Sequence, residues 1–382
     1  MSALRLFGGR AGPPRRLTAC CERQFSSTPA CAINAIFHRT ENPELNAVLK
    51  QIQDEIVFPS FLPPKQKSLV FNPKKRQFLA QNPIVIEVEG VEHKFSPIDR
   101  FKDLHNTTKL FNAALRQMQT PDEWDNLPTL LAGYRQAGLK LKPAQWGKIV
   151  RSANKTGNIY TAIECAKQAD KTGFALKHLE AVVQIFAGVN QKITQSGWDK
   201  DETEQARRWV EAVLDMLYRP QHVTSTDRKH KGLQFSPLLR GMILFTRCSV
   251  VKVKQEAGEA IDRDLVALQD EVALCITLWK SLPDDLMQLQ ELATLKPQRS
   301  ASIKRPEQLG GLPYVQMLAQ IVKGIDMSRE IVGEGAQELS RVRDVLGSHL
   351  AEFLETGLGK CQAWRDEYER IMSSAPSSKP AA

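Results

Sequence analysis

The chain has 382 residues, with 52 Lys and Arg against 43 Asp and Glu, so its formal net charge is +9. Apolar residues make up 42% and charged residues 25%, which is typical of a folded protein and excludes an intrinsically disordered chain. The longest near-apolar run, 237–246, contains an arginine and is shorter than the roughly 20 residues of a transmembrane helix. The seven cysteines include no Cys-x-x-Cys pair, so neither a disulfide framework nor a structural zinc site is expected.

Residues 1–25 are predicted to be a mitochondrial presequence. Between residues 1 and 40 there are six arginines, no lysine and one acid, Glu22, and an Arg-rich, acid-poor segment is typical of transit peptides. A membrane potential that is negative inside draws such a segment across by about 2.3 kcal/mol per charge per 100 mV. We therefore expect the protein in the mitochondrial matrix. Cleavage after Phe25 would remove five Arg and one Glu, which lowers the net charge from +9 to +5.

Residues 26–105 are predicted to form an extended N-terminal arm. Prolines recur between Pro59 and Pro97, which argues against long helices. Two β-branched runs around Gly90 predict a β-hairpin over residues 84–95. Because one hairpin is marginally stable alone, this arm should lie on the helical body or on a partner. A solvated linker is the alternative.

From residue 106 to 293 the pattern predicts a helical-repeat body. Apolar residues recur at helical spacing, and equivalent positions lie 35 residues apart, as with Phe111 and Trp146 or Gly138 and Gly173. Such a period indicates stacked units, because one helical hairpin cannot bury its apolar face alone. The predicted fold is mainly α, with antiparallel helical-hairpin repeats in an α-solenoid-like array. The residues expected to shape the repeats are Phe111, Gly138, Trp146, Gly157, Ala162 and Gly173.

Residues 144–173 resemble one pentatricopeptide repeat. The resemblance rests on an early aromatic, a Lys-x-Gly turn, an alanine in the second helix and a terminal glycine: Trp146, 155–157, Ala162 and Gly173. It implies organellar RNA binding, in which each unit reads about one base through two or three side chains. At the reading positions this unit has Gly147 and Lys177, and the preceding unit has Asn112 and Lys142. Glycine has no side chain to read a base and lysine suits phosphate better, so phosphate or shape contacts, or a protein partner, are favoured.

A basic segment follows the clear repeats. Residues 219–254 contain eight Lys and Arg and one acid, Asp227, and basic clusters commonly contact phosphate. The alternative is a solvated charged surface. The predicted nucleic-acid contacts are Arg219, Arg228, Lys229, Lys231 and Arg240, together with Lys142 and Lys177.

The remaining chain is predicted to form a linker at 294–312, a C-terminal helical block at 313–372 and a disordered tail at 373–382. Phosphate-loop, dinucleotide, nucleophile-elbow and metalloprotease motifs are absent from the sequence. His222 and His230 have no carboxylate or cysteine at ligand spacing. We therefore expect no catalytic residues, no bound cofactor and no metal site.

Three functions fit these predictions. The first is a non-catalytic, RNA-associated mitochondrial protein that acts in transcript processing, stability or translation. The second is a structural component of the mitochondrial ribosome, to which a basic body with degenerate repeats is suited. The third is a protein scaffold or assembly factor for an inner-membrane respiratory complex. The expected partners are accordingly mitochondrial mRNA or rRNA, the ribosome, or a protein on the repeat surface.

Overall fold

The structure is a computed structural model, and it describes residues 33–99, 105–223, 232–280, 288–297, 308–356 and 361–373. The predicted presequence and the part of the predicted disordered tail after Ser373 lie outside the described residues, as does most of the predicted linker. The prediction of a mainly helical fold with one small hairpin is confirmed.

The N-terminal part of the described chain is built from short helices and the hairpin. Its elements are α1 (Pro43–Ile52), a π-helical turn (Gln53–Val57), α2 (Phe58–Ser60), α3 (Pro64–Val70), a 3-10 turn (Pro73–Lys75), α4 (Arg76–Gln81), β1 (Val85–Val88) and β2 (Val91–Lys94). The two strands pair antiparallel, with Val88 opposite Val91. Between them Glu89 and Gly90 both have positive φ, as in the type I′ turns that favour hairpins.

The described residues of the predicted N-terminal arm lie on the helical body, which is one of the two placements expected for it. Leu45, Leu49 and Ile52 lie on one face of α1 and are completely or almost completely buried in the main core. The side chain of Asn42 caps α1 by accepting the N–H groups of Glu44 and Leu45, both at 3.1 Å. The prolines begin these short helices and do not prevent them, because the first N–H of a helix needs no intrahelical partner.

Residues 105–223, which we call the repeat half, form stacked helical hairpins. Their helices are α5 (Thr107–Gln117), α6 (Pro121–Trp124), α7 (Leu127–Gln136), α8 (Pro143–Lys155), α9 (Ile159–Lys167), α10 (Ala169–Thr172), α11 (Leu179–Gln195) and α12 (Lys200–Tyr218). The first helices, α5, α8 and α11, pack side by side, and so do the second helices, α7, α9 and α12. The third hairpin keeps the arrangement, but its helices are longer.

The ends of the repeat helices show why the glycines recur. Gly138, Gly157 and Gly173 have φ of 75°, 74° and 77°, a conformation that costs an L-residue energy because of its Cβ. Beyond Gly138, the N–H of Leu139 donates to the carbonyl of Tyr134 at 2.9 Å. Each glycine therefore lets a helix stop and the chain reverse.

The anchors of the repeats differ in their burial. Phe111 and Ala162 are completely buried. Trp146 occupies the position equivalent to Phe111 but is only half-buried, and its indole stacks on Phe174 with centroids 5.1 Å apart. Trp146 thus covers the edge of the core, whereas Phe111 lies within the core.

Residues 232–373, which we call the C-terminal half, pack around two long helices. Its elements are a 3-10 turn (Leu233–Phe235), α13 (Pro237–Glu256), α14 (Asp262–Lys280), α15 (Gln290–Leu295), α16 (Gly311–Val332), a 3-10 segment (Gly333–Leu339), α17 (Ser340–Thr356) and α18 (Gln362–Ser373). Helices α13 and α16 are buried on most sides, which is typical of central helices. None of the helices in the described ranges is both long and apolar enough to cross a membrane.

The C-terminal half shares one core with the repeat half. Helix α16 packs along α13 and also contacts α11. Where they cross, a Cβ on Gly324 would lie 2.7 Å from the backbone nitrogen of Phe245, so glycine permits the close approach. The part of the chain predicted as a C-terminal helical block, 313–372, thus packs on the predicted body, because α16 is buried against the last repeat.

A buried polar network joins the three helices. The side-chain amide of Asn190 on α11 donates to the carbonyl of Met242 on α13 and to the side-chain oxygen of Gln320 on α16, both at 3.0 Å. Thr246 donates to the Asn190 oxygen at 2.6 Å, and Gln320 donates to the carbonyl of Ala187 at 3.2 Å. Since hydrogen-bonded buried amides fix relative positions, this network sets how the two halves meet.

Candidate nucleic-acid interface

The cations of α13 are engaged with carboxylates of neighbouring helices. The Nη1 atom of Arg240 lies 3.2 Å from the Glu271 carboxylate, and the Nε atom of Arg247 lies 3.3 Å from it. Lys252 pairs with Glu330 of α16. The remaining α13 lysine binds two acids, at 2.8 and 2.7 Å: Lys254 with Glu204 and Asp264. The excess positive charge of this stretch of sequence is therefore largely balanced by acids that are distant in sequence.

Arg240 is not a surface residue. Its side chain is 5% exposed, and its Nε donates to the carbonyl of Gln234 at 2.7 Å. Its Nη2 lies 3.2 Å from the hydroxyl of Tyr218. The prediction that Arg240 contacts nucleic acid is wrong, because a buried guanidinium with these partners cannot reach an external phosphate.

Arg219, directly after α12, does face solvent. It pairs with Asp215 one turn earlier at 2.5 Å, and their side chains are 48% and 63% exposed. Exposed pairs of this kind contribute little to stability, so Arg219 can exchange Asp215 for another anion. The other predicted contacts in this loop, Arg228, Lys229 and Lys231, lie outside the described residues.

The end of α12 is fixed to the loop that precedes α11. The Nδ1 atom of buried His222 accepts the backbone N–H of Leu176 at 3.0 Å. Burial lowers the pKa of His222, and the positive charges of Arg219 and Lys177 lower it further. The backbone N–H of His222 also donates to the carbonyl of Arg219 at 3.0 Å. Since Lys177 directly follows Leu176, Arg219 and Lys177 lie close together although they are 42 residues apart in sequence.

Lys142 occupies the same position in the preceding unit as Lys177. Both are exposed and stand just ahead of the first helix of their unit, α8 and α11. Within the described ranges, neither has a carboxylate at salt-bridge distance. Both ammonium groups are therefore available to an external anion.

The positions expected to read bases are occupied by contacts between units. The Asn112 side-chain oxygen accepts from the ammonium of Lys148 at 2.7 Å. A Cβ on Gly147 would lie 2.6 Å from the Glu180 carboxylate, which is buried and pairs with Arg151 at 2.5 Å. These side chains hold adjacent repeats together, so neither position offers a free side chain that could contact a base.

A second row of cations was missed by the sequence reasoning. Lys148 donates to the side-chain oxygen of Asn112 at 2.7 Å, and Arg116 donates to the carbonyl of the same residue at 3.3 Å. Arg151 follows Lys148 by one turn of α8, so the three cations lie close together across α5 and α8. Burial lowers the pKa of Lys148, and the positive charges of Arg116 and Arg151 lower it further. Arg116 and Arg151 are 35 residues apart and therefore hold equivalent positions in successive units. The 35-residue period of the sequence therefore contained the signal that could have found them.

A groove, the possible metal ligands and a buried thiol are the other features that bear on chemistry. A groove of about 420 Å³ lies between the turns at Gly138 and Gly173 and is lined mainly by Tyr134, Leu139, Leu141 and Trp146. In the ranges that the structure describes, no three His, Cys, Asp or Glu side chains are placed to hold a metal ion. Burial raises the pKa of the Cys248 thiol, which therefore stays protonated.

Comparison with known proteins gives one consistent family. The family described as mitochondrial ribosomal protein mS27 (Mrp13) matches residues 23–372. A Neurospora crassa protein, small ribosomal subunit protein mS27, is 32% identical over 195 residues, which are 51% of this chain and 49% of that protein. The aligned part thus spans about half of that relative. The family match crosses the repeat half and the C-terminal half alike, and on that match the chain belongs to the mitochondrial ribosomal protein mS27 family.

Proposed function

We propose that the protein is a non-catalytic structural component of the small subunit of the mitochondrial ribosome, located in the matrix. The observation that carries this proposal is the family match over residues 23–372, supported by the name of the Neurospora relative. Of the three functions that the sequence left open, the match favours the ribosomal component over a dissociable RNA factor and over a membrane-complex scaffold.

The RNA contact would be directed at phosphate. Lys142, Lys177 and Arg219 present exposed cations, and phosphate contacts position a protein on RNA without reading its sequence. The row formed by Arg116, Lys148 and Arg151 adds positive charge on the first helices. Arg228, Lys229 and Lys231 remain predicted contacts. The occupied positions at Asn112 and Gly147 fit recognition of RNA shape over that of bases.

The ribosomal assignment is tested by sedimentation. A tagged copy of the chain in isolated mitochondria should migrate with the small subunit on a gradient and stay there as the salt concentration rises. A structural component is held by many contacts, whereas a transient factor leaves when its few phosphate contacts are screened. Migration at the top of the gradient, or with a membrane complex lacking rRNA, would contradict the proposal.

The phosphate contacts are tested by charge removal. In the triple variant Lys142→Ala, Lys177→Ala and Arg219→Ala, log K for RNA should depend less steeply on log salt, by about 2–3 in slope. A control that removes the same charge from exposed residues of α3 and the following 3-10 turn is Lys65→Ala, Lys74→Ala and Lys75→Ala. Equal slopes in the triple variant and its parent would contradict these contacts.

A further inference from the structure

Two aromatic rings lie exposed side by side at the end of α12. Tyr218 is 51% exposed and Phe235 is 36% exposed. Their ring centroids are 6.2 Å apart and the rings are nearly perpendicular, at 89°. Exposed neighbouring aromatics forgo the free energy of burial, and such surfaces commonly mark a binding site.

The pair is held in place from below. The Tyr218 hydroxyl meets the Nη2 of Arg240 at 3.2 Å, and Arg240 is itself fixed by Glu271 and by the carbonyl of Gln234. Tyr218 therefore cannot swing away freely although its ring is open to solvent. A ring that is already oriented loses little conformational entropy when a ligand stacks on it.

The charge around the pair is positive. Arg219 follows Tyr218 directly, and its exposed partner Asp215 is readily displaced. Lys177 lies near Arg219, because the N–H of the adjacent Leu176 donates to the His222 ring at 3.0 Å. The backbone N–H of His222 in turn donates to the carbonyl of Arg219 at 3.0 Å. An apolar protein segment would cover the rings and leave these cations without anions. A nucleotide satisfies both, since its base stacks on an aromatic face and its phosphates meet the cations.

We propose that Tyr218 and Phe235 form a stacking site for an unpaired nucleotide of RNA, whose flanking phosphates contact Arg219 and Lys177. The inference rests on the proposed ribosomal function and adds that the RNA is single-stranded at this point. Bases inside a duplex are already stacked on their neighbours and cannot reach a protein ring, whereas bases in loops and bulges can.

Binding of the full chain to a uridine 10-mer and to an RNA duplex of equal length tests the inference. Tyr218→Leu should weaken binding of the single strand by about fivefold to a hundredfold, the range for loss of one stacked base, and Phe235→Leu should act in the same direction. Duplex binding should stay within twofold of the parent. Tyr218→Phe keeps the ring and should retain most of the affinity. Phe78→Leu, on α4, removes a ring of similar exposure (52%) and should change nothing.

Ultraviolet crosslinking of purified small subunits provides the second readout. Peptides that contain Tyr218 or Phe235 should carry a nucleotide adduct, and the parent and Tyr218→Leu chains should enter subunits equally well. Equal effects of Tyr218→Leu and Phe78→Leu, or a crosslink from the pair to protein in place of RNA, would overturn the stacking site. Incorporation of the chain into the small subunit is measured separately, so either of these results would leave the proposed ribosomal function intact. The ribosomal function would be contradicted only if the parent chain were absent from the subunit.

Discussion

The two halves of the molecule differ in how exposed some of their charged residues are. In the repeat half, Lys142 and Lys177 point to solvent, and the buried carboxylate of Glu180 pairs with Arg151, whose side chain is 41% exposed. In the C-terminal half, Arg240 and Glu271 are both about 95% buried and face each other. Lys142 and Lys177 are therefore freer than the cations of α13, although the sequence clusters its basic residues over 219–254. Local net charge in a sequence does not measure surface charge when a fold supplies acids from elsewhere.

The halves also differ in how they close their cores. In the repeat half, helices α5 and α8 each bury one face. In the C-terminal half, α13 and α16 are buried on most sides, so that most of their side chains are constrained. We therefore expect equivalent substitutions to be more damaging in the C-terminal half.

The largest difference between the two halves is expected at their buried glutamates. Glu271→Ala leaves Arg240 buried without its carboxylate and should reduce the free energy of unfolding by about 3–5 kcal/mol. Glu180→Ala should cost about 1–2 kcal/mol, because Arg151 can turn to water. Urea unfolding of both variants measures the difference. Equal losses would break the contrast between the halves.

A smaller loss is expected where α16 crosses α13. Gly324→Ala places a Cβ 2.7 Å from the backbone nitrogen of Phe245 and should cost about 1–3 kcal/mol through overpacking. The matched control is Gly347→Ala on α17, where the nearest neighbour of the added Cβ, a nitrogen of Arg343, lies 3.9 Å away. That control should be neutral or stabilising by up to about 1 kcal/mol. A destabilised control with an unchanged Gly324 variant would contradict the packing described.

Within the repeat half, the half-buried anchor should matter less than the buried one. Trp146→Ala loses a stacked but partly exposed ring and should cost about 1–2 kcal/mol. Phe111→Ala, at the equivalent position of the preceding unit, removes a completely buried ring and should cost about 3–5 kcal/mol. Thermal melts of the two variants compare them directly. If the Trp146 variant is as unstable as the Phe111 variant, the Trp146 ring belongs to the core.

The smallest effect is a pH dependence at the junction of α12 and α11. The pKa of His222 is lowered by burial and by the neighbouring cations, so the unfolded chain binds its proton more readily than the folded chain. Its contribution to stability is therefore present above the unfolded pKa near 6.5 and is lost as the pH falls below it. His222→Asn, which can still accept the Leu176 N–H, should lose less melting temperature between pH 7 and 5 than the parent. His38→Asn, at an exposed histidine, should behave as the parent does.

Much of the fold could be predicted because its signals can be read along the chain. Helix-ending glycines and the alternation over 84–95 depend on neighbouring residues, and the 35-residue period depends on adjacent repeat units. The packing of α16 against α11 could not be predicted, since its apolar surface does not specify which helix covers it. The burial of Arg240 was missed for the same reason, because Glu271 lies 31 residues away. The exposed cations Lys142 and Lys177 followed from the repeat register.

The hydrogen bonds between α11 and α16 constrain the order in which the chain can complete its fold. Asn190 and Gln320 are separated by 130 positions, so a chain made from its N-terminus forms the first hairpins long before α16 exists. Until then the apolar face of α11 that α16 covers stays open to water, and contacts of such sequence separation form slowly. The newly made protein should therefore pass through a stage in which finished repeats carry one uncovered helix, and this stage is when aggregation competes with folding.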